Sequence, residues 1–251
     1  MYAVITGASS GIGLEMAKLL AEKHYHLVIA ARRKERLETL KTSLEKDYGV
    51  DVIVCPTDLN KESDVQNLFD IASSYHPDIV INCAGFGKMG MFSSIPLEED
   101  LAMIKTNITA LHILTRKFAE SMEKGVILNV ASIASFAPVP LLATYGATKA
   151  YVQNFSRAIA YELKKMKKPV HVMTLCPGPI ATEFCDVAHG SFHVKFATAQ
   201  SVAKKAIRVI LKKKATVVPG FFPKFSHVGF KFLPTPFAMS MEYRSQDCDK
   251  V

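Results

Sequence analysis

The chain has 251 residues, 49% hydrophobic and 22% charged, which is enough apolar material for a large core and excludes a disordered, low-complexity protein. Its 31 Lys and Arg exceed 23 Asp and Glu for a net charge of +8. The cations are scattered, however, and cluster only at 164–168 and 212–214, where helices should end and positive charge complements the dipole, so no nucleic-acid binding is expected. Five cysteines without Cys-x-x-Cys spacing argue against a disulfide framework and a zinc site; with no signal peptide before the first strand they fit a cytoplasmic protein. The uncharged run 125–148 contains Asn129, Pro138 and Pro140 and is not expected to span a membrane.

In chain order, nearly continuous apolar runs at 2–6, 26–31, 52–55, 78–82, 126–131, 170–175 and 216–218 predict strands covered on both faces, as in a parallel sheet. Between them Ile12, Met16, Leu19 and Leu20 stripe one helix, and Leu37, Leu40 and Leu44 a second. Further helices are predicted over 61–74, 97–122, 144–166 and 199–213. Alternating strands and helices give an α/β fold, a single Rossmann-type domain over 1–251 with a doubly wound parallel sheet of about seven strands. Ligands of such sheets bind beyond the carboxyl ends of the strands, so the residues following each strand carry the functional signal.

After the first strand comes Thr6-Gly7-Ala8-Ser9-Ser10-Gly11-Ile12-Gly13. Its glycines permit a tight turn, and a helix opening near Gly11 points free N–H groups at a phosphate. The spacing departs from the G-x-G-x-x-G fingerprint, but a glycine turn between a buried strand and an amphipathic helix reads as a cofactor loop. An acid at the end of the second strand would bind the ribose hydroxyl of NAD. The chain instead reads Arg32-Arg33-Lys34. Cations at a helix start call for an anion, and guanidinium groups suit the 2′-phosphate of NADP(H), which is the expected cofactor.

The 6–13 loop resembles the cofactor loop of the short-chain dehydrogenase/reductase family, and further matches follow in the family's order. They are Asn82-Cys83-Ala84-Gly85, Asn107, Ser132, Tyr145-Gly146-Ala147-Thr148-Lys149, and Pro177-Gly178 with Thr182. Together they span residues 2 to 218. The resemblance implies that Gly7, Ser9, Ser10, Gly11, Ile12, Gly13, Asn82, Ala84, Gly85, Pro177, Gly178, Ile180 and Thr182 line the dinucleotide, with Asp58 at the adenine. It implies that Asn107, Ser132, Tyr145 and Lys149 are catalytic, Lys149 also holding the nicotinamide ribose and Asn107 a proton-relaying water. It further implies a homodimer or homotetramer.

Tyr145 and Lys149, four residues apart, share a helix face, and a nearby ammonium should lower the phenol pKa toward working pH. Tyr145 would then exchange a proton with a carbonyl or alcohol oxygen that Ser132 also hydrogen-bonds. Singly, Ser132 reads as a turn cap, Asn107 as a helix-end residue, Tyr145 as a core aromatic and Asp58 as a helix N-cap. Phe86, Met89, Met91, Phe136, Val139, Leu141 and Leu142 predict a hydrophobic substrate, with Phe86, Phe136 and Leu142 beside Ser132 and Tyr145. A substrate loop is expected at 180–200, and a Phe- and Pro-rich flap or subunit interface at 219–251.

No histidine falls in a ligand pattern, so no metal is expected. The expected activity is hydride transfer between NADP(H) and a hydrophobic ketone, aldehyde or secondary alcohol. Alternatives are reduction of a 3-oxoacyl group on an acyl carrier protein, suited to the basic surface, and a non-catalytic dinucleotide sensor or scaffold.

Overall fold

The computed structural model describes residues 1–181, 183, 197–211, 216–217, 219 and 235–245. Six parallel strands, β1 (Tyr2–Thr6), β2 (His26–Ala31), β3 (Val52–Pro56), β4 (Ile79–Asn82), β5 (Gly125–Val130) and β6 (Val170–Leu175), alternate with helices. The helices are α1 (Gly11–Ala21), α2 (Lys34–Tyr48), α3 (Glu62–Ser73), α4 (Leu97–Ile104), α5 (Leu111–Ser121) and α6 (Ala143–Lys165). There follow β7 (Ile180–Ala181), β8 (Ala197–Thr198), α7 (Ala199–Ile210), β9 (Thr216–Val217) and α8 (Thr235–Ser245). The main sheet has seven strands in the order β3-β2-β1-β4-β5-β6-β9, reversing direction of growth between β1 and β4.

Strand side chains alternate between two cores. Ile5, Ile29 and Leu128 pack with Met16, Leu37 and Ile207 of α1, α2 and α7. Val4, Val28 and Ile127 pack with Leu68 and Phe118 of α3 and α5. Burying each such aliphatic side chain contributes about 1.5–3 kcal/mol, which is why the strands read as unbroken apolar runs. The reversal point opens the ligand crevice above β1 and β4.

Three local features differ from the periodicity. The segment expected as one helix over 97–122 is interrupted by a π-helical turn at Lys105–Ala110, whose extra residue per turn carries Asn107 into the interior. Within the expected substrate loop, Ile180 and Ala181 pair with Ala197 and Thr198 as a small parallel ladder. In the Pro-rich tail, α8 forms because Pro236 falls in its first turn, where a missing N–H breaks no intrahelical bond. Among the described residues, no helix is long and apolar enough to cross a membrane.

Candidate active site

Thr6 joins the two strands at the reversal point. Its hydroxyl accepts hydrogen bonds from Cys83 N at 3.1 Å and Ala84 N at 3.2 Å. Gly7 has φ 72°, and a Cβ there would lie 2.9 Å from Ala84 N; one on Gly13 would lie 2.4 Å from Gly7 O. A side chain at Gly7 would push the turn after β1 away from the β4 exit, and one at Gly13 would push α1 away from that turn. Ser10 is the N-cap of α1 but makes no side-chain capping bond, which leaves first-turn N–H groups for an anion. This bare, uncapped cradle fits the diphosphate of a dinucleotide.

Lys149 sits one turn along α6 from Tyr145, its Nζ 5.7 Å from the ring centre, and both side chains are buried. Lys149 Nζ donates to Val130 O at 2.9 Å. Ser132 follows β5 and accepts from Ala134 N at 3.2 Å, capping the short turn Ile133–Ser135, while its side chain also hydrogen-bonds Tyr145. The same hydroxyl serves the turn and the contact with Tyr145. Asn107 is fully buried. It accepts from Phe86 N at 3.2 Å and donates to Phe86 O at 2.9 Å and Thr148 Oγ1 at 3.0 Å, so it pins the β4 exit to α6. A Cβ on Gly85 would come within 2.9 Å of Asn107 Oδ1 and 3.1 Å of Lys149 Nζ, so these three residues converge.

The electrostatics correct one expectation. Burial pushes the Tyr145 hydroxyl up to about 12 despite its hydrogen bond with Ser132, and pulls Lys149 down to about 8. The ammonium does not bring the phenol toward neutrality: desolvation by burial is the largest influence on both groups. A protonated phenol beside a cation is a proton donor at neutral pH.

At the far end of the crevice, Arg33 donates from Nη2 to Ser9 Oγ at 3.0 Å and Ser10 Oγ at 2.9 Å. Its Nη1 and Arg36 Nη1 both reach the Glu183 carboxylate, at 2.7 and 2.5 Å. These two hydrogen bonds hold the Glu183 carboxyl below its ordinary range, that from Arg36 first. A cavity of ≈ 510 Å³ lies here, lined by Ser9, Ser10, Gly11, Arg36 and Glu183. Arg32 is exposed and makes no hydrogen bond or ion pair among the described residues, so the helical partner of Arg33 is Arg36, three residues on.

The remaining expected residues divide. Ala84, Gly85, Pro177, Gly178 and Ile180 follow β4 and β6 on the crevice side, with Pro177 O accepting from Ile133 N at 3.0 Å. Thr182 lies outside the described residues. Asn82 donates to Asn129 Oδ1 at 2.8 Å and Thr115 Oγ1 at 3.2 Å in a buried network. Asp58 is not a helix cap: α3 is capped at Lys61, and the Asp58 carboxyl closes a local turn by accepting from Asn60 N at 3.1 Å. Phe86, Met89, Met103, Val139 and Leu142 surround Tyr145 in one apolar cluster. Phe136 is not part of it; the tight turn at Ile133–Ser135 delivers it to a cluster with Leu111, Val152, Cys176 and Phe155.

Sequence reasoning placed Thr6 in the cofactor loop without its bonds to Cys83 and Ala84, and missed Arg36 and Glu183. The helical spacing of Arg36 from Arg33 was a readable signal. Glu183 had none, since its contact with Arg33 spans 150 residues.

The profile described as short chain dehydrogenase matches residues 1–189. Hydroxysteroid dehydrogenase-like protein 1 of Gallus gallus is 31% identical over 234 residues, 88% of this chain and 68% of that protein. A very-long-chain 3-oxoacyl-CoA reductase of Pyrenophora tritici-repentis is 34% identical over 172 residues, 65% of this chain, and the match spans only 50% of that relative's length. Among solved structures, a short-chain dehydrogenase from Sphingobium yanoikuyae in complex with NADPH superposes with a TM-score of 0.83 at 28% identity, covering 91% of each chain. The shared fold, the glycine cradle and the profile match over most of its length place this chain in the short-chain dehydrogenase family of oxidoreductases.

Proposed function

We propose that the chain, acting as one Rossmann-type domain, is an NADP(H)-dependent oxidoreductase that reduces hydrophobic ketones or aldehydes, or oxidises the matching secondary alcohols. The observation that carries this reading is the buried Tyr145 hydroxyl, paired with Ser132, close to Lys149 and enclosed by Phe86, Met89, Met103, Val139 and Leu142. When bound, the nicotinamide would supply or accept the hydride. Tyr145 gives its proton to the carbonyl oxygen, Ser132 hydrogen-bonds that oxygen, and the Lys149 ammonium stabilises the phenolate left behind. Lys149 also has the reach to hold the ribose. Asn107 keeps the β4 exit and α6 in register and stands by for the proton relay.

Preference for NADP(H) is supported by Arg33 and Arg36, which already gather a carboxylate where the 2′-phosphate is expected. The NADPH complex of the Sphingobium yanoikuyae relative is in keeping with it. The names of the 3-oxoacyl-CoA reductase relatives favour a second reading, reduction of a 3-oxoacyl thioester on a coenzyme A or acyl-carrier arm. The family expectation of a homodimer or homotetramer accompanies both. Steady-state reduction of free bulky ketones and 3-oxoacyl thioesters, by wild type and Tyr145→Phe with each cofactor, tests the proposal. Turnover lost in the variant, with cofactor binding kept, supports it. Undiminished turnover in Tyr145→Phe contradicts it.

A further inference from the structure

β4 and β5 run together as far as Asn82 opposite Asn129, the last rung of their ladder. At that rung the side chains are also bonded, Asn82 Nδ2 donating to Asn129 Oδ1 at 2.8 Å. Thr115 Oγ1 of α5 donates to the same oxygen at 3.1 Å, and Asn129 Nδ2 donates to Ser156 Oγ of α6 at 2.9 Å. Ser156 Oγ in turn donates to Val152 O at 2.6 Å, one turn back along α6. Asn129 is thus the hub of a knot that joins two strands to two helices, and all four side chains are buried.

The knot lies where it governs Lys149. Asn129 shares its side of the sheet with Ile127, facing α5 and α6. The following carbonyl, that of Val130, turns toward the β4 side, since Ala131 N bonds to Leu175 O of β6 and successive residues alternate. β4 has ended there, so the Val130 carbonyl lies beyond the ladder and accepts from Lys149 Nζ at 2.9 Å. Consecutive residues of β5 therefore grip α6 at two points about two turns apart, Asn129 at Ser156 and Val130 at Lys149.

Packing alone does not account for this arrangement. Asn82 Oδ1 is buried without a hydrogen-bond partner among the described residues, and an apolar set of similar shape would fill the layer at no such cost. What the amides and hydroxyls add is direction and register. We propose that Asn129 is a positioning residue, which fixes α6 against the last β4–β5 rung and so holds the Lys149 ammonium on the Val130 carbonyl and beside Tyr145. The inference rests on the acid/base reading above, in which that ammonium stabilises the phenolate.

Lys149 reports its own placement. A hydrogen bond to the charged form favours it, so an ammonium drawn off the carbonyl gives up its proton more readily. The titratable groups facing it among the described residues are Tyr145 on α6, Cys83 after β4 and Cys176 after β6. Burial pushes Tyr145 up to about 12 and each thiol up to about 11. Lys149, pulled down to about 8, is the one of the four that titrates near neutrality.

The test follows the ε-methylene NMR signal of Lys149, assigned by its loss in Lys149→Arg, against pH in the cofactor-free protein. Ser156→Ala cuts the bond between Asn129 and α6, and Asn129→Leu removes the hub. Leu37→Ala, in the core on the opposite face of the sheet, controls for destabilisation alone. Both knot variants are expected to titrate about one pH unit below wild type, and Leu37→Ala with wild type. Single-turnover reduction of a bulky ketone by NADPH should slow about ten- to hundredfold in both knot variants, its fall with pH moving down in step. Should Asn129→Leu fail to fold, Ser156→Ala decides. An unmoved Lys149 midpoint in the folded variants, or an equal shift in Leu37→Ala, overturns the proposal even where turnover falls. Moved midpoints in a protein that reduces no ketone would keep Asn129 as a positioning residue and reject the reductase reading.

Discussion

Replacing Arg33 by alanine should separate the two nicotinamide cofactors. The Arg33 side chain bridges the Ser9 and Ser10 hydroxyls and Glu183, yet it is 41% exposed, so its resident ion pair is worth only about 0–1 kcal/mol. A phosphate held by the same guanidinium gains about 1.5–3 kcal/mol through charge-assisted bonds. Arg33→Ala should therefore weaken NADPH roughly 10- to 100-fold, at about 1.4 kcal/mol per tenfold, and NADH by less than about threefold.

Glu183→Gln removes the anion that competes for Arg33 and Arg36. NADPH should then bind about two- to fivefold more tightly, with NADH unchanged. Added salt should narrow the NADPH advantage as it screens these partly exposed charges. Fluorescence titration of purified protein with each cofactor reads all three effects. Equal losses for both cofactors in Arg33→Ala would refute the phosphate site, and weaker NADPH binding in Glu183→Gln would show that the carboxylate positions the arginines instead of competing.

Other substitutions probe the remaining parts of the site. Tyr145→Phe should lower kcat by about 10²- to 10⁴-fold, the range for a general acid, while cofactor titrations stay near wild type. Because Lys149 is pulled down to about 8, the reductive rate should fall as pH rises through that value and the phenolate loses its cation. A rate that stays flat well above pH 8, followed under single-turnover conditions, would remove Lys149 from that role. Gly85→Ala forces a Cβ to within 2.9 Å of Asn107 Oδ1, which is buried and hydrogen-bonded and has no room to retreat. It should cost about 1–3 kcal/mol, each worth roughly 2–4 °C of Tm at this size, and should reduce turnover as well. An unchanged melting curve would show that the junction yields.

The sheet was legible because its strands are covered on both faces, which writes each one as an apolar run such as His26–Ala31. The pairing of Tyr145 with Lys149 was legible because four-residue spacing on a helix survives into three dimensions. Their ionisation was not. Proximity in sequence reports the attraction between the two groups, while the burial that dominates both belongs to the packing of distant elements. Asn107 was found as a residue, but its π-helical turn was hidden because one extra residue in a helix barely alters the apolar period. Arg33 was readable from local charge, whereas its partner Glu183 arrives from beyond β7. Phe136 was misplaced because composition shows that a loop is apolar and not toward which cluster a short turn directs it.

The most direct test of the central claim is isotope transfer from NADPH deuterated at nicotinamide C4 to a bulky ketone. Both C4 positions are to be labelled in turn, and the alcohol product examined by mass spectrometry and NMR. The account predicts deuterium on the carbinol carbon from one of the two labelled forms, with the hydroxyl proton drawn from solvent through Tyr145. Alcohol whose carbinol carbon carries no deuterium from either form, or no reduction across free ketones and 3-oxoacyl thioesters alike, would contradict it.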